Sequence, residues 1–127
     1  MSSTREAAKI TFDMSHLEPI DIDMAEIHDA FTVCELMAIE DLGLVSKGNG
    51  AKFVKTLYET EDRKINPRGG LIGTGHPLGA TGIAQIIETT QQLQGTAGKR
   101  QIENAKVGLV HNMSAAATSS TVLLLQS

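Results

Sequence analysis

The stretch Asn66 to Gly82 places six glycines around a single histidine, His76, and runs directly into an apolar helical pattern. Glycine admits positive φ and lets a ligand approach the main chain closely. Pro77 stiffens the turn directly after the ring, and the helix that follows aims its positive end back at the loop. An imidazole presented in this way suits donation of a hydrogen bond to a developing oxyanion, or acceptance of a proton from a thiol. The alternative is a ring that merely caps the loop. A phosphate cradle fits less well, because the Lys-Ser or Lys-Thr ending of a P-loop and the spacing of a dinucleotide fingerprint are both missing.

Two more histidines fall at comparable places. His28, in Ile27-His28-Asp29-Ala30-Phe31, stands where a strand turns into a helix, a common meeting point of ligands and reacting groups in α/β sheets. Asp29 beside it has the side chain of a helix N-cap. His111 follows the apolar run Val107-Gly108-Leu109-Val110 and precedes Asn112, again where a buried strand meets a turn. Either ring alone reads as structural; three imidazoles at element ends make a stronger joint case for chemistry. His16, in the connection before Pro19, reads as surface. Cys34 lies in an apolar helix without a basic neighbour and reads as core. The histidines at 16, 28, 76 and 111 have no local two-ligand spacing, so no metal is expected.

Composition narrows the function classes. A chain of 127 residues is expected to form one domain, and its 41% apolar content is ordinary for a globular protein. With 11 Lys and Arg against 15 acidic residues and no basic run, there is no phosphate-tracking face. With no tryptophan, one tyrosine and three phenylalanines there is no platform for stacking bases, so nucleic acid is not an expected partner. No apolar run reaches the roughly 18 residues of a membrane span, so no membrane partner is expected. A single cysteine excludes an internal disulfide framework, and the opening Met-Ser-Ser-Thr-Arg is unlike a secretory leader, which makes the cytoplasm the natural compartment.

The elements that would position these residues follow from periodicity. Ala7, Ala8, Ile10 and Phe12 predict a helix over 3–14, ending before Glu18-Pro19. Ile20-Asp21-Ile22-Asp23-Met24 alternates apolar and acidic side chains, and 25–27 continues it loosely, predicting a strand that delivers His28. Residues 29–42 are apolar around most of a helical circumference and belong inside a larger structure. A short surface helix over 51–58 and a polar connection over 59–64 precede the glycine-rich loop. Residues 79–94 carry a helical apolar face that ends at Gly95 and Gly98. Strands over 106–111 and 117–125, joined by Asn112-Met113-Ser114-Ala115, close the chain.

Gly75-His76-Pro77-Leu78-Gly79-Ala80-Thr81-Gly82 resembles the Gly-His-Pro signature of thiolases, and the likeness extends over nearly the whole chain. Glu26-Ile27-His28-Asp29-Ala30-Phe31 resembles the His-Asp-x-Phe motif of the archaeal and sterol-carrier-protein-X type thiolases, and Asn66-Pro67-Arg68-Gly69-Gly70 resembles their Asn-x-x-Gly-Gly motif. The resemblance implies a layered α/β C-terminal thiolase domain with a mixed sheet, spanning 1–127 as a partial domain. It also implies acyl-CoA chemistry, with coenzyme A thioesters as substrates and no separate cofactor. In such a site His76 would activate a nucleophilic cysteine and His28 would support the oxyanion site. Asn66, Gly69, Gly70, Gly75 and Pro77 would line the acyl pocket, and His111 is a candidate for the second proton transfer.

Three departures qualify that likeness. Thiolases carry the nucleophilic cysteine on their N-terminal half, and Cys34 does not match it, so the chain alone is expected to be inactive. Where many thiolases have a second cysteine followed by glycines, this chain has His111-Asn112-Met113-Ser114-Ala115-Ala116, and the cysteine that the mammalian sterol-carrier type places in His-Asp-x-Phe is Ala30. The resemblance also implies a sheet whose first strand sits near its middle and precedes the opening helix; the expectation is that this chain starts at that helix, which predicts a vacancy in the middle of the sheet with two bare edges. The expected partners are therefore acyl-CoA and an N-terminal thiolase portion or another subunit, in an oligomer. The leading expectation is the C-terminal part of an acetyl-CoA acetyltransferase-like enzyme. The others are a non-catalytic thiolase-like subunit that binds acyl-CoA or scaffolds another enzyme, and a truncated product.

Overall fold

Residues 2–15 form the first helix, α1, in the computed structural model, which describes residues 1–127. Its periodicity buries Thr4 and Ala8, and His16 closes it in the left-handed conformation, φ 57°. The predicted strand start is different. Pro19–Asp21 is a 3-10 turn with Ile20 exposed, and the acidic residues serve turns: Asp21 accepts from the Glu18 N–H at 2.8 Å, and Asp23 from Lys106 and Val107 N–H. The period-two signal over 20–24 was thus produced by capping chemistry. Strand β1 is Met24–Ile27, buried along its whole length, and it does deliver His28 at its end.

Helix α2 is Thr32–Asp41, α3 is Gly50–Glu59, a single-turn α4 is Gly70–Thr74, and α5 is Thr81–Leu93. Strands β2, Val107–Met113, and β3, Ser120–Gln126, close the chain. Helix α2 begins three residues later than predicted because Asp29 does not cap it. Its carboxylate instead accepts from the Leu71 N–H at 2.6 Å. Cys34 is half-buried in α2 and His16 is exposed.

The sheet runs β1-β2-β3, with β1 parallel and β3 antiparallel to β2, and Ile65 adds one isolated parallel bridge beside Ala25. The expected vacancy in the middle is not there. The three strands are continuously paired, and the open edge lies on the outer side of β3. Helices α1 and α2 cover one face, where Ala8, Ile27, Ile39, Leu42, Leu109 and Val122 form the apolar core. Helix α5 covers the other face, so closely that a Cβ at Gly108 would collide with the Thr89 side chain.

The α5 face is polar. Its buried side chains are Thr81, Gln85, Glu88, Thr89 and Gln92, whereas Ile83 and Ile87 are 60% and 53% exposed. The spacing did make a helix, but its most apolar stripe points outward. Inside, Glu88 receives a two-pronged ion pair from Arg100 with contacts of 2.8 to 3.2 Å, and the Gln92 amide ties Glu88 to residues 100–102. Each buried polar group in this layer that finds a partner avoids a desolvation cost of about 1–3 kcal/mol.

Candidate active site

The register of the sheet decides which predicted residues meet. Ile27 pairs with His111, so these two point to one face and His28 and Asn112 point to the other. His28 is therefore delivered to the α5 side, where the glycine-rich loop brings His76 against it. The rings are edge to face, with centroids 4.9 Å apart and an interplanar angle of 88°. They share a cleft of about 390 Å³ with Leu78, Asn112 and Ser114.

His76 is held from one side. Its Nδ1 lies 2.7 Å from the Thr81 hydroxyl, which lies 3.2 Å from the Pro77 carbonyl. In the tautomer where the hydroxyl proton goes to Pro77, Nδ1 donates to Thr81 and Nε2 keeps the lone pair of a base; in the other, Nδ1 accepts from Thr81 and Nε2 carries the proton. Thr81 opens α5, so a single side chain joins the loop's proline, its histidine and the helix start. His28 is 3% exposed, and its Nδ1 is buried without a hydrogen-bond partner. Burial, then the neighbouring His76, push its imidazole below the ordinary range, while Asp29 opposes them.

His111 does not join this pair. It is fully buried on the opposite face, with Nε2 3.3 Å from the Thr4 hydroxyl of α1 and Nδ1 without a partner. Burial foremost, with His28 adding, lowers it to about 4. Asn112, the next residue, occupies the cleft instead. Its side chain donates to Gln85 Oε1 at 2.9 Å, and Gln85 donates to the His111 carbonyl at 3.1 Å, which fixes the amide. Asn112, Gln85 and Thr81 were missed as site residues. For Asn112, strict alternation along Val107–Met113 carried the signal, since neighbours in a strand cannot face the same way; Thr81 and Gln85 lie on α5, where that alternation says nothing.

The residues expected to line an acyl pocket support the site rather than line this cleft. Asn66 lies at φ 50°, accepts from the Ile27 N–H at 2.7 Å and donates to Glu35 at 3.0 Å. Gly70, at φ 62°, stands so close to Asp29 that any Cβ would collide with the carboxylate. Gly69 precedes α4 and Gly75 follows it, both at positive φ, and Pro77 offers its carbonyl to Thr81. A larger groove of about 730 Å³, between α2, α3 and residues 61–69, includes Asn66 and Gly69 but neither histidine of the pair, so its size does not mark the chemistry. No group of three or more His, Cys, Asp or Glu is placed to hold a metal, and no helix is long and apolar enough to cross a membrane.

Over residues 1–127 the sequence matches the family described as thiolase C-terminal domain-like. It is 48% identical over 115 residues to an acetyl-CoA acetyltransferase of Methanothermobacter thermautotrophicus, covering 89% of this chain and 30% of that protein. It is 51% identical over 112 residues to human sterol carrier protein 2, covering 87% of this chain and 20% of that one. The fold matches an Ltp2-ChsH2(DUF35) aldolase with a TM-score of 0.80 at 24% identity, covering 97% of this chain and 31% of that one. It also matches the peroxisomal 3-ketoacyl-CoA thiolase of Saccharomyces cerevisiae, described as a five-layered structure built from two core domains of identical topology. There the TM-score is 0.59 at 25% identity, over 98% of this chain and 29% of that one. The chain thus spans less than a third of each of these four proteins.

Proposed function

The chain belongs to the thiolase family, as a C-terminal domain, and from this we propose that it is the histidine-bearing part of an acyl-CoA acyltransferase that forms or cleaves acetoacetyl-CoA. A separate cysteine-bearing portion supplies the nucleophile. The observation that carries this reading is the His28–His76 pair in a cleft, with the His76 ring held through Nδ1 by Thr81 and Nε2 outside that bond; on this reading Nε2 is the base. Cys34 lines no part of that cleft, so the thiol comes from elsewhere. In the first half-reaction Nε2 takes the thiol proton and the thiolate sulfur bonds to the thioester carbonyl carbon. The carbonyl oxygen takes the negative charge and is met by donors from His28 and Asn112. Collapse breaks the carbon–sulfur bond to coenzyme A, and the departing thiolate recovers the proton from His76.

The outward stripe of Ile83 and Ile87 supports the need for another layer, because α5 turns its apolar side to solvent while burying polar groups. The test is acetoacetyl-CoA thiolysis with and without a candidate cysteine-bearing chain. Turnover is expected only in the mixture. A reconstituted complex that binds coenzyme A and stays inert would defeat this reading.

A second reading, a non-catalytic thiolase-like subunit that binds acyl-CoA or scaffolds another enzyme, is favoured by one observation. His111, the candidate for the second proton transfer, faces away from the cleft. Under that reading His76→Ala leaves the function of the assembly unchanged. Under the first it abolishes turnover while the assembly persists.

A further inference from the structure

Three buried or half-buried carboxylates converge on one short segment. Glu35 accepts from the Asn66 amide at 3.0 Å, Glu26 from the Arg68 N–H at 3.5 Å, and Asp29 from the Leu71 N–H at 2.6 Å. They come from the body of the domain, Glu26 and Asp29 from β1 and its end and Glu35 from α2. The segment they hold leads through α4 to His76. We propose that Glu26, Asp29 and Glu35 are positioning residues that clamp residues 66–71, and that the grip on Arg68 tightens when Glu26 is ionised.

Glu26 is the movable member because its contact is incomplete. Its side chain is fully buried, yet Oε2 has no hydrogen-bond partner and lies 3.9 Å from Arg68 Nε, which is also buried and without a partner. A charged pair in contact closes to about 2.7–2.9 Å. The two atoms face each other across a gap, and ionisation of Glu26 would supply the Coulomb attraction that closes it.

The surroundings set the range in which this happens. Facing Glu26 are Arg68 from the loop, Asp29 at the end of its own strand, Glu88 from α5 and Arg100 from the 98–100 turn; His28 lies two residues along the same strand face. Arg100 is committed to Glu88, which leaves Arg68 as the uncommitted cation. Burial raises Glu26 to about 7, outweighing the opposing pull of Arg68, with Glu88 and Asp29 adding to the rise. Burial and then Asp29 also raise Glu35, with its Asn66 bond opposing. The clamp itself is independent of the acyl-transfer reading, and only its effect on the placing of His76 during turnover rests on that reading.

The test uses the full chain and no substrate. Nitrogen-15 NMR of the arginine Nε–Hε groups is followed from about pH 5.5 to 8.5, a range that spans the expected transition. The Arg68 resonance is expected to titrate with a midpoint of about 7. Glu26→Gln is expected to abolish that titration. A flat Arg68 resonance in the unaltered chain, or an unchanged titration in Glu26→Gln, overturns the proposal. Should Glu26→Gln fail to fold, Arg68→Gln serves instead, read on the Glu26 carboxyl carbon. Losing the guanidinium is expected to raise the Glu26 midpoint, and an unmoved midpoint overturns the coupling. Asp29→Asn is expected to speed Leu71 amide exchange by about tenfold, the loss of one charge-assisted bond; an unchanged rate removes Asp29 from the clamp.

Discussion

The two faces of the sheet are built from different materials. Under α1 and α2 the core is aliphatic, and His111 is a polar intruder in it. Under α5 the buried layer is Thr81, Gln85, Glu88 and Gln92 tied by directed bonds, with Thr89 packed against Gly108 and its hydroxyl without a partner. Aliphatic packing is non-directional and stabilises in proportion to area, at about 25 cal/mol per Å². A satisfied polar network adds little net stability but fixes orientation. The histidine pair sits at the rim of the oriented face, where Gln85 aims Asn112 and Thr81 aims His76. One face supplies folding energy and the other supplies geometry.

The sharpest test of that division is functional. In the reconstituted assembly His76→Ala should lower turnover by about 10²- to 10⁴-fold, the usual range for a positioned acid or base. His111→Leu should leave turnover nearly intact. Equal losses from the two would erase the distinction between the faces. On the aliphatic side the expected currency is stability: Ile27→Ala, at a site with no solvent exposure, should destabilise the chain by about 2–5 kcal/mol in denaturant titration.

The two faces should also respond to pH in opposite directions. Glu26 is raised from its ordinary 4.5 to about 7, so between those values the folded chain keeps a proton that the unfolded chain has shed, and stability falls as pH rises through that window. His111 is lowered from 6.5 to about 4, so there the unfolded chain takes a proton that the folded chain refuses, and stability falls as pH drops. Each contribution is on the order of 3 kcal/mol at most, and where the windows overlap they offset each other. Glu26→Gln should therefore uncover a rise in stability from about pH 4 to 6.5, and His111→Leu a fall from about pH 4.5 to 7. Unfolding curves across pH in which both variants keep the original profile would contradict both assignments.

A smaller effect is expected at the far end of the polar layer. Arg100→Ala leaves the Glu88 carboxylate buried without its cation. Breaking a fully buried pair costs about 3–5 kcal/mol, and since Arg100 is partly in water the loss here should be nearer roughly 2 kcal/mol. Glu88→Gln with Arg100 retained should cost less, because the amide still accepts a hydrogen bond.

Much of this was legible in the sequence because it is written locally. Glycine and proline punctuation bounded the loop, and helical spacing located α1, α3 and α5 to within a few residues. The motif around His28 and His76 named the pair that meets. What failed needed information from outside each segment. The acidic alternation over 20–24 looked like a strand because caps and strands can both place a carboxylate at every second residue. His111 was grouped with the other imidazoles because element ends were compared without the register that turns it away. The middle of the sheet holds no vacancy, because pairing order is set by crossovers that no single stretch encodes.

Helix α5 shows the same limit most clearly, and it provides the mildest test. Its apolar spacing reports which side avoids water, not which layer covers that side. In this chain Ile83 and Ile87 have no cover. Replacing both with serine should change the stability of the isolated chain by no more than about 0.5 kcal/mol per site, as for other surface positions. Assembly with a cysteine-bearing portion, followed by sedimentation, should be lost, because that side is where the additional layer would pack. Suppose instead that the double variant destabilises the isolated chain by several kcal/mol. The stripe would then already be packed in solution, against a second copy of this chain, and the polar face would owe its order to self-association.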